Sequence, residues 1–428
     1  MLAVLGGSSA FTPLLASALA GLAGEIPRLQ VRLQGRDPSH LDPVARFCNL
    51  HASARGVDHA YQWTLSPAEA MEGADLVVNQ VRVGGWEGRM LDETFPLPFG
   101  YPGDETIGPG GLLSALRSAG PVLELGRLAA ARAGPGAFFL NMTNPLGVLT
   151  AGLGRIPGLR VFGLCELPQV VLEKALAAAG FPADGVEPDY LGVNHQGWFV
   201  RVFREGEDIL PEILEALDRE ASLRICGVDL EVLLEWKALP LPYLRLYFHR
   251  ERERRRLENR PRPRGEELRE TARALYEAYA KREDPALPAL LGKRKSPWID
   301  KALAPAAASL LGGRRRTLYL SGVEDGGALG LDPPGPVERL CRVSARGPDA
   351  LPFHEPAPYK GGLFDPILEF MEKILRFEEA ALRAALSPGE ETILEALLAH
   401  PWKIPLDKAR TMAQAMVRIH PPGEGGVP

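Results

Sequence analysis

The chain has 428 residues, with 49 basic against 54 acidic, a net charge of −5, and four cysteines. That length suits two lobes with a cleft between them, and the near balance of charge excludes a surface-wide field for nucleic acid or anionic membrane. No apolar run approaches the roughly 20 residues of a membrane span, Met1-Leu2-Ala3-Val4-Leu5 passes straight into glycines rather than a cleavable signal, and the scattered cysteines lack CxxC spacing; a cytoplasmic chain without disulfides is expected.

Leu2-Ala3-Val4-Leu5 reads as a short buried strand, and Gly6-Gly7-Ser8-Ser9-Ala10-Phe11-Thr12-Pro13 carries it into an Ala/Leu-rich helix ending near Gly21. Such a turn lets backbone approach a pyrophosphate at a helix N-terminus, although the spacing is not GxGxxG and an ordinary strand-to-helix turn has the same look. The second strand, Leu29 to Leu33, should end in an acid for the adenosine ribose, but it ends Gln34-Gly35-Arg36-Asp37. Arg36 there suits a 2′-phosphate, favouring NADP, and Asp37 is a substitute acid slightly further on. Strands follow around Tyr61 to Trp63 and Ala74 to Gln80. Residues 81 to 117 read as a long, glycine-rich functional loop, then come a helix from Leu112 to Ala131 and a strand, Ala137 to Leu140, opening into Asn141-Met142-Thr143-Asn144-Pro145. Strand after strand delivers polar residues to one edge.

The next strand, Leu159 to Phe162, empties into Gly163-Leu164-Cys165-Glu166-Leu167-Pro168 and a helix started by proline. Parallel sheets keep their active sites outside the carboxyl ends of strands. Val193-Asn194-His195-Gln196-Gly197-Trp198 adds an imidazole, so Cys165 and His195 are either two ligands of one metal or two core residues. Beyond residue 200 helices predominate: Leu210 to Leu217, Val228 to Leu239, Gly265 to Lys281, Pro297 to Leu311, Phe364 to Leu386 and Glu390 to Ala399. Between them Thr317 to Leu320 and Val337 to Val343 read as a small separate sheet. The arginine run from Arg250 to Arg264 reads as a solvated face from which one arginine can reach a cleft. The fold expected is α/β: a Rossmann-type doubly wound parallel sheet over residues 1–165, then an α+β, mostly helical substrate, metal-binding and oligomerisation domain over 166–428, as in lactate and malate dehydrogenases.

Laid in order, GGSSAFTP at 6 to 13, QVRVGG with Arg89 at 80 to 89, GDETIGPGG at 103 to 111, MTNP at 142 to 145, GLCELP at 163 to 168, GVNHQGW at 192 to 198 and PYLRLY at 242 to 247 resemble glycoside hydrolase family 4, within it the 6-phospho-glucosidases. The resemblance implies NAD (or NADP) and Mn²⁺ or another divalent metal. It also implies a cycle in which NAD⁺ oxidises C3 of a phosphorylated sugar, a base takes the acidified C2 proton, the C1 substituent leaves, water adds and C3 is reduced again. By position Cys165 and His195 match the metal ligands, Tyr243 the base and Glu105 a carboxylate raising its basicity. Glu166 stands where relatives carry the Asp or Asn that divides α- from β-specific enzymes, leaving the anomer open, with a 6-phospho-β-glucoside favoured. Gly6, Gly7, Ser8, Ser9, Phe11, Thr12 and Arg36 fall in the cofactor site, and Arg89, Asn144 and Arg264 match substrate positions, Arg264 near the 6-phosphate. Dimers or tetramers are implied, with no nucleic-acid or membrane partner.

Departures from the pattern are Gly35 for the ribose-binding Asp, Asp104 for a Gln, Lys293-Arg294-Lys295-Ser296-Pro297-Trp298 for an arginine, glycine and tyrosine stretch, and Glu324-Asp325-Gly326-Gly327 for an asparagine-rich turn. The alternatives are an NAD(P)-dependent 2-hydroxy-acid dehydrogenase and a nucleotide-binding relative without catalysis.

Overall fold

The computed structural model of the protein describes residues 1–281, 284–293, 297–354 and 362–420. Six parallel strands come first: β1 (Leu2–Leu5), β2 (Arg28–Gln34), β3 (Asp58–Thr64), β4 (Leu76–Asn79), β5 (Phe138–Asn141) and β6 (Arg160–Leu164), in the spatial order β3-β2-β1-β4-β5-β6. β1, β4 and β5 are buried along their whole length because helices cover both sides, whereas β2 and β3 toward the edge alternate buried with exposed residues. Leu2 and Val4 of β1 enter one hydrophobic cluster with Val31, Leu33 and Leu140, while Ala3 and Leu5 enter another with Val77 and Phe139.

The sheet does not stop at β6. The later strands are β7 (Val186–Val193), β8 (Gln196–Arg204), β9 (Glu207–Asp208), β10 (Leu239–Pro240), β11 (Arg316–Asp325), β12 (Pro336–Ser344) and β13 (Gly347–Ala350). β11 lies antiparallel on β6, with Leu320 opposite Leu164, and the order continues β12, β7, β8, β10. Strands read as a separate small sheet are therefore antiparallel extensions of the main one. Leu318, Tyr319, Leu320, Val337, Cys341 and Val343 are buried within it, and burial on both faces explains the apolar run Leu318 to Leu320.

The β7–β8 hairpin and the helix Leu406–Ile419 had no counterpart in the sequence reading. The expected long loop at 81–117 is largely helical, with Gly85–Thr94 and Gly108–Arg132. Asp104 holds the turn that leads into the second of these, its Oδ1 accepting from the backbone N–H of Thr106 (2.8 Å) and Ile107 (3.1 Å). Residues 294–296 of the Lys293 to Trp298 stretch lie outside the described residues. No helix among the described residues is long and apolar enough to cross a membrane.

Candidate active site

A cavity of 740 Å³ opens along the carboxyl ends of β1, β2, β4, β5 and β6. Its lining includes Gly6, Ser8, Ser9, Phe11 and Arg36 at one end and Arg89, Glu105, Asn144, Cys165, Glu166, His195, Tyr243 and Arg264 at the other. Of the residues singled out in the sequence for the cofactor site, Gly7, Thr12 and the substitute acid Asp37 are not on the wall. Asp37 caps a helix through Ser39. Gly7 and Thr12 hold the turn instead: a Cβ on Gly7 would sit 2.8 Å from the Leu33 Cα, and the Thr12 hydroxyl donates to the Gly7 carbonyl (2.9 Å). Gly6 takes φ +77°, and a Cβ there would lie 2.9 Å from the Gln80 carbonyl oxygen, so the backbone of this turn is bare by steric necessity.

Cys165 directly follows β6, and Glu166 occupies the N-cap position of the helix Leu167–Ala178. His195 sits in the tight turn of the β7–β8 hairpin, where Val193 pairs with Gln196, and holds φ 66°, a left-handed conformation costly for a residue with a Cβ. Its ring stacks on Tyr243 with centroids 4.2 Å apart and planes 16° apart. Tyr243 belongs to the short helical turn Pro242–Leu244 that follows β10.

Glu105 ties the second group of lining residues together. Its carboxylate accepts from Arg82 (2.6 Å), Arg89 (3.0 Å) and Asn144 (3.3 Å). Burial alone would raise this acid, but Arg82 and Arg89 outweigh it and hold the carboxyl well below the usual range. Arg82 also lies over the Trp86 ring at 5.1 Å. Tyr243 is pushed up, by burial first and then by Asp104 and Glu105, against the opposing cations Arg245 and Arg89. Asp104 is itself raised to about 6, mainly by burial.

Arg264 opens the helix Arg264–Lys281, which packs tightly because a Cβ on Gly265 would lie 2.9 Å from Met90 Cγ. It pairs with Glu267 at 2.9 Å. Arg260 shares the Glu267 carboxylate at 2.9 Å, while other arginines of the run turn elsewhere: Arg252 to Asp229, Arg254 and Arg255 to Glu251, Arg256 to Glu253 and Arg262 to Glu270.

Cys165 and His195 are a thiol and an imidazole on one wall. His195 Nδ1 is buried without a hydrogen-bond partner among the described residues, and burial lowers the ring to about 4, keeping it in the neutral form that ligates metals. The Cys165 thiol is raised by burial, then by Glu166 and Glu338, conditions a nearby divalent cation reverses. No group of three or more His, Cys, Asp or Glu side chains is placed to hold a metal among the described residues, so Cys165 and His195 offer two donor groups at most.

Sequence reasoning passed over Arg82, Trp86, Tyr276 and Trp298, which also line the cavity. Arg82 lay inside a quoted motif. Tyr276 lay in a helix read only for its periodicity; its hydroxyl donates to the Ser8 carbonyl (2.7 Å) while Tyr279 donates to that of Ala10 (2.8 Å), pinning the helix to the glycine turn.

The family described as Family 4 glycosyl hydrolase matches residues 1–180, and its C-terminal domain matches residues 190–402. The chain belongs to family 4 of the glycosyl hydrolases. It is 28% identical over 434 residues, 97% of its own length and 95% of the relative's, to the Bacillus subtilis (strain 168) protein named "Probable 6-phospho-beta-glucosidase". A second relative from that organism, maltose-6'-phosphate glucosidase, is 31% identical over 215 residues, 50% of this chain and 48% of the relative. The structure of the 6-phospho-beta glucosidase from Thermotoga maritima with manganese, NAD+ and glucose-6-phosphate superposes with a TM-score of 0.83 at 23% identity, covering 98% of each chain. This family 4 chain thus shares the fold of that structure over nearly its whole length.

Proposed function

We propose that this family 4 protein hydrolyses a 6-phosphorylated glucoside, taken as the β-linked anomer, with a nicotinamide dinucleotide and a divalent metal ion. The observation that carries the reading is that Cys165 and the stacked pair His195 and Tyr243 line the same cavity as the bare glycine turn of β1. The relatives named above act on 6-phosphorylated sugars by their names, and the Thermotoga structure holds manganese, NAD+ and glucose-6-phosphate.

Gly6, Ser8, Ser9 and Phe11 would receive the dinucleotide, Cys165 and His195 the metal. When bound, the dinucleotide supplies reversible hydride acceptance at C3, and the metal supplies positive charge where oxygen becomes anionic. The chain's own residues do the rest. Tyr243 takes the C2 proton, its ring held in place by the His195 stack, with Arg245 and Arg89 favouring the phenolate against burial. Glu166 gives a proton to the departing C1 oxygen. Glu105 holds Arg89 and Asn144 toward the sugar, and Arg264 takes the 6-phosphate in exchange for part of its pairing with Glu267. The division at 165/166, a cytoplasmic location and a dimeric or tetrameric assembly belong to the same reading.

The test is release of nitrophenol from nitrophenyl 6-phosphoglucosides of each anomer, under reducing conditions with Mn²⁺ and either NAD⁺ or NADP⁺. The expected result is turnover of the β-anomer that EDTA abolishes and Mn²⁺ restores. No release from either anomer would overturn the proposal, and release from the α-anomer alone would overturn the anomeric assignment.

A further inference from the structure

A dinucleotide lying along β1 brings its adenosine ribose to the tip of β2, where a carboxylate is normally needed to bind the two free hydroxyls. None is available here. Gly35 is buried, and a Cβ at that position would lie 2.7 Å from Ser8 Oγ and 2.8 Å from Ser8 Cβ. An acidic side chain at 35 would displace the turn that faces the pyrophosphate.

The next carboxylate, Asp37, is committed to a different task. Its Oδ1 accepts from the Ser39 backbone N–H (2.8 Å) and the Ser39 hydroxyl (2.6 Å), capping the helix Pro38–Ala54. It is not part of the cavity wall, whereas Arg36 is. Arg36 is exposed, and its guanidinium makes no ion pair or hydrogen bond to a described side chain. Beside it, His40 lies flat against Tyr276, centroids 3.9 Å apart, and the Tyr276 hydroxyl donates to the Ser8 carbonyl. The tip of β2 therefore brings to the cavity a bare glycine and a cation with no ion-pair partner among the described residues.

We propose that the dinucleotide site selects the 2′-phosphorylated form, with Arg36 as the phosphate's partner and Gly35 as the residue that leaves room for it. A guanidinium matches a phosphate dianion with two parallel N–H donors, whereas a ribose hydroxyl gains only a weak contact from it. The inference rests on the reading of this cavity as a nicotinamide-dinucleotide site. Because Arg36 faces solvent, the attraction is screened by salt.

The test is binding, without sugar or metal. The full chain is titrated with NADP⁺ and NAD⁺ by calorimetry, and with 2′,5′-ADP as a competitor. The expected result is NADP⁺ at least tenfold tighter than NAD⁺, with a preference that shrinks as salt rises. Arg36→Gln should remove most of that preference, weakening NADP⁺ far more than NAD⁺, and leave the circular dichroism unchanged. NAD⁺ binding as tightly as NADP⁺, or an unchanged ratio in Arg36→Gln, overturns the selection while leaving the dinucleotide site standing. Failure of both dinucleotides to bind the wild-type chain overturns the reading of the cavity itself.

Discussion

Replacing Glu105 with Gln tests how the sugar end of the cavity is held. Gln keeps the shape of the side chain and accepts one hydrogen bond, but it leaves Arg82 and Arg89 facing each other without the charge that now sits 2.6 and 3.0 Å from them. Removing one partner of a buried ion pair costs about 3–5 kcal/mol; with Arg82 34% exposed and solvent screening its share, about 2–3 kcal/mol is expected here. The assay is equilibrium urea unfolding of the two proteins at several pH values. Because the folded carboxyl lies below the ordinary value of 4.5, its stabilisation is fully present above that value and is lost only as pH falls through the lower folded one. The gap between wild type and Glu105→Gln should thus stay constant from neutral to mildly acidic pH and close in stronger acid. Equal stability at neutral pH, or a gap that closes before pH reaches the ordinary carboxylate range, would refute the assignment of Glu105 as a charged anchor.

Cys165→Ser is expected to weaken Mn²⁺ binding at least tenfold, read by the manganese electron paramagnetic resonance signal, and unaltered affinity would remove Cys165 from the ligand set. Tyr243→Phe should suppress exchange of the substrate C2 hydrogen with solvent deuterium while dinucleotide binding persists; undiminished exchange would identify another group as the base. Gly6→Ala forces a Cβ against the Gln80 carbonyl at φ +77° and should cost about 1–2 kcal/mol in unfolding free energy together with most of the dinucleotide affinity. A variant that binds dinucleotide normally would show that the turn is not the pyrophosphate's seat.

Much of this arrangement was legible because its parts are local. β1, β4, β5 and β6 announce themselves as apolar runs ending in polar turns, and those turns carry Asn144, Cys165 and Glu166. What could not be read depends on pairing between distant segments. Leu318 and Val343 look alike whether they join a small sheet or extend a large one; only the contact of Leu320 with Leu164 decides it. Val186 to Arg204 was passed over as two strands because burial on both faces leaves no alternation to detect. The stretch from 81 to 117 read as loop because glycines at 84, 85, 103 and 108 are turn residues by habit. Here Gly84 caps one helix in a left-handed conformation, and Gly103 and Gly110 permit backbone approaches of 1.9 and 2.3 Å to a hypothetical Cβ. Asp37 was credited with a ligand role because its position fits; its engagement with Ser39 is a matter of side-chain direction, invisible in the letters.

The unbroken ladder from β3 through β6 and β11 to β10 means that the nucleotide turn and the imidazole-bearing hairpin are stitched into one fabric. No seam runs between them along which two halves could swing apart. The relative placement of the glycine turn and the His195–Tyr243 stack is then settled when the chain folds. Heat that frays this ladder should extinguish catalysis and secondary structure along the same curve.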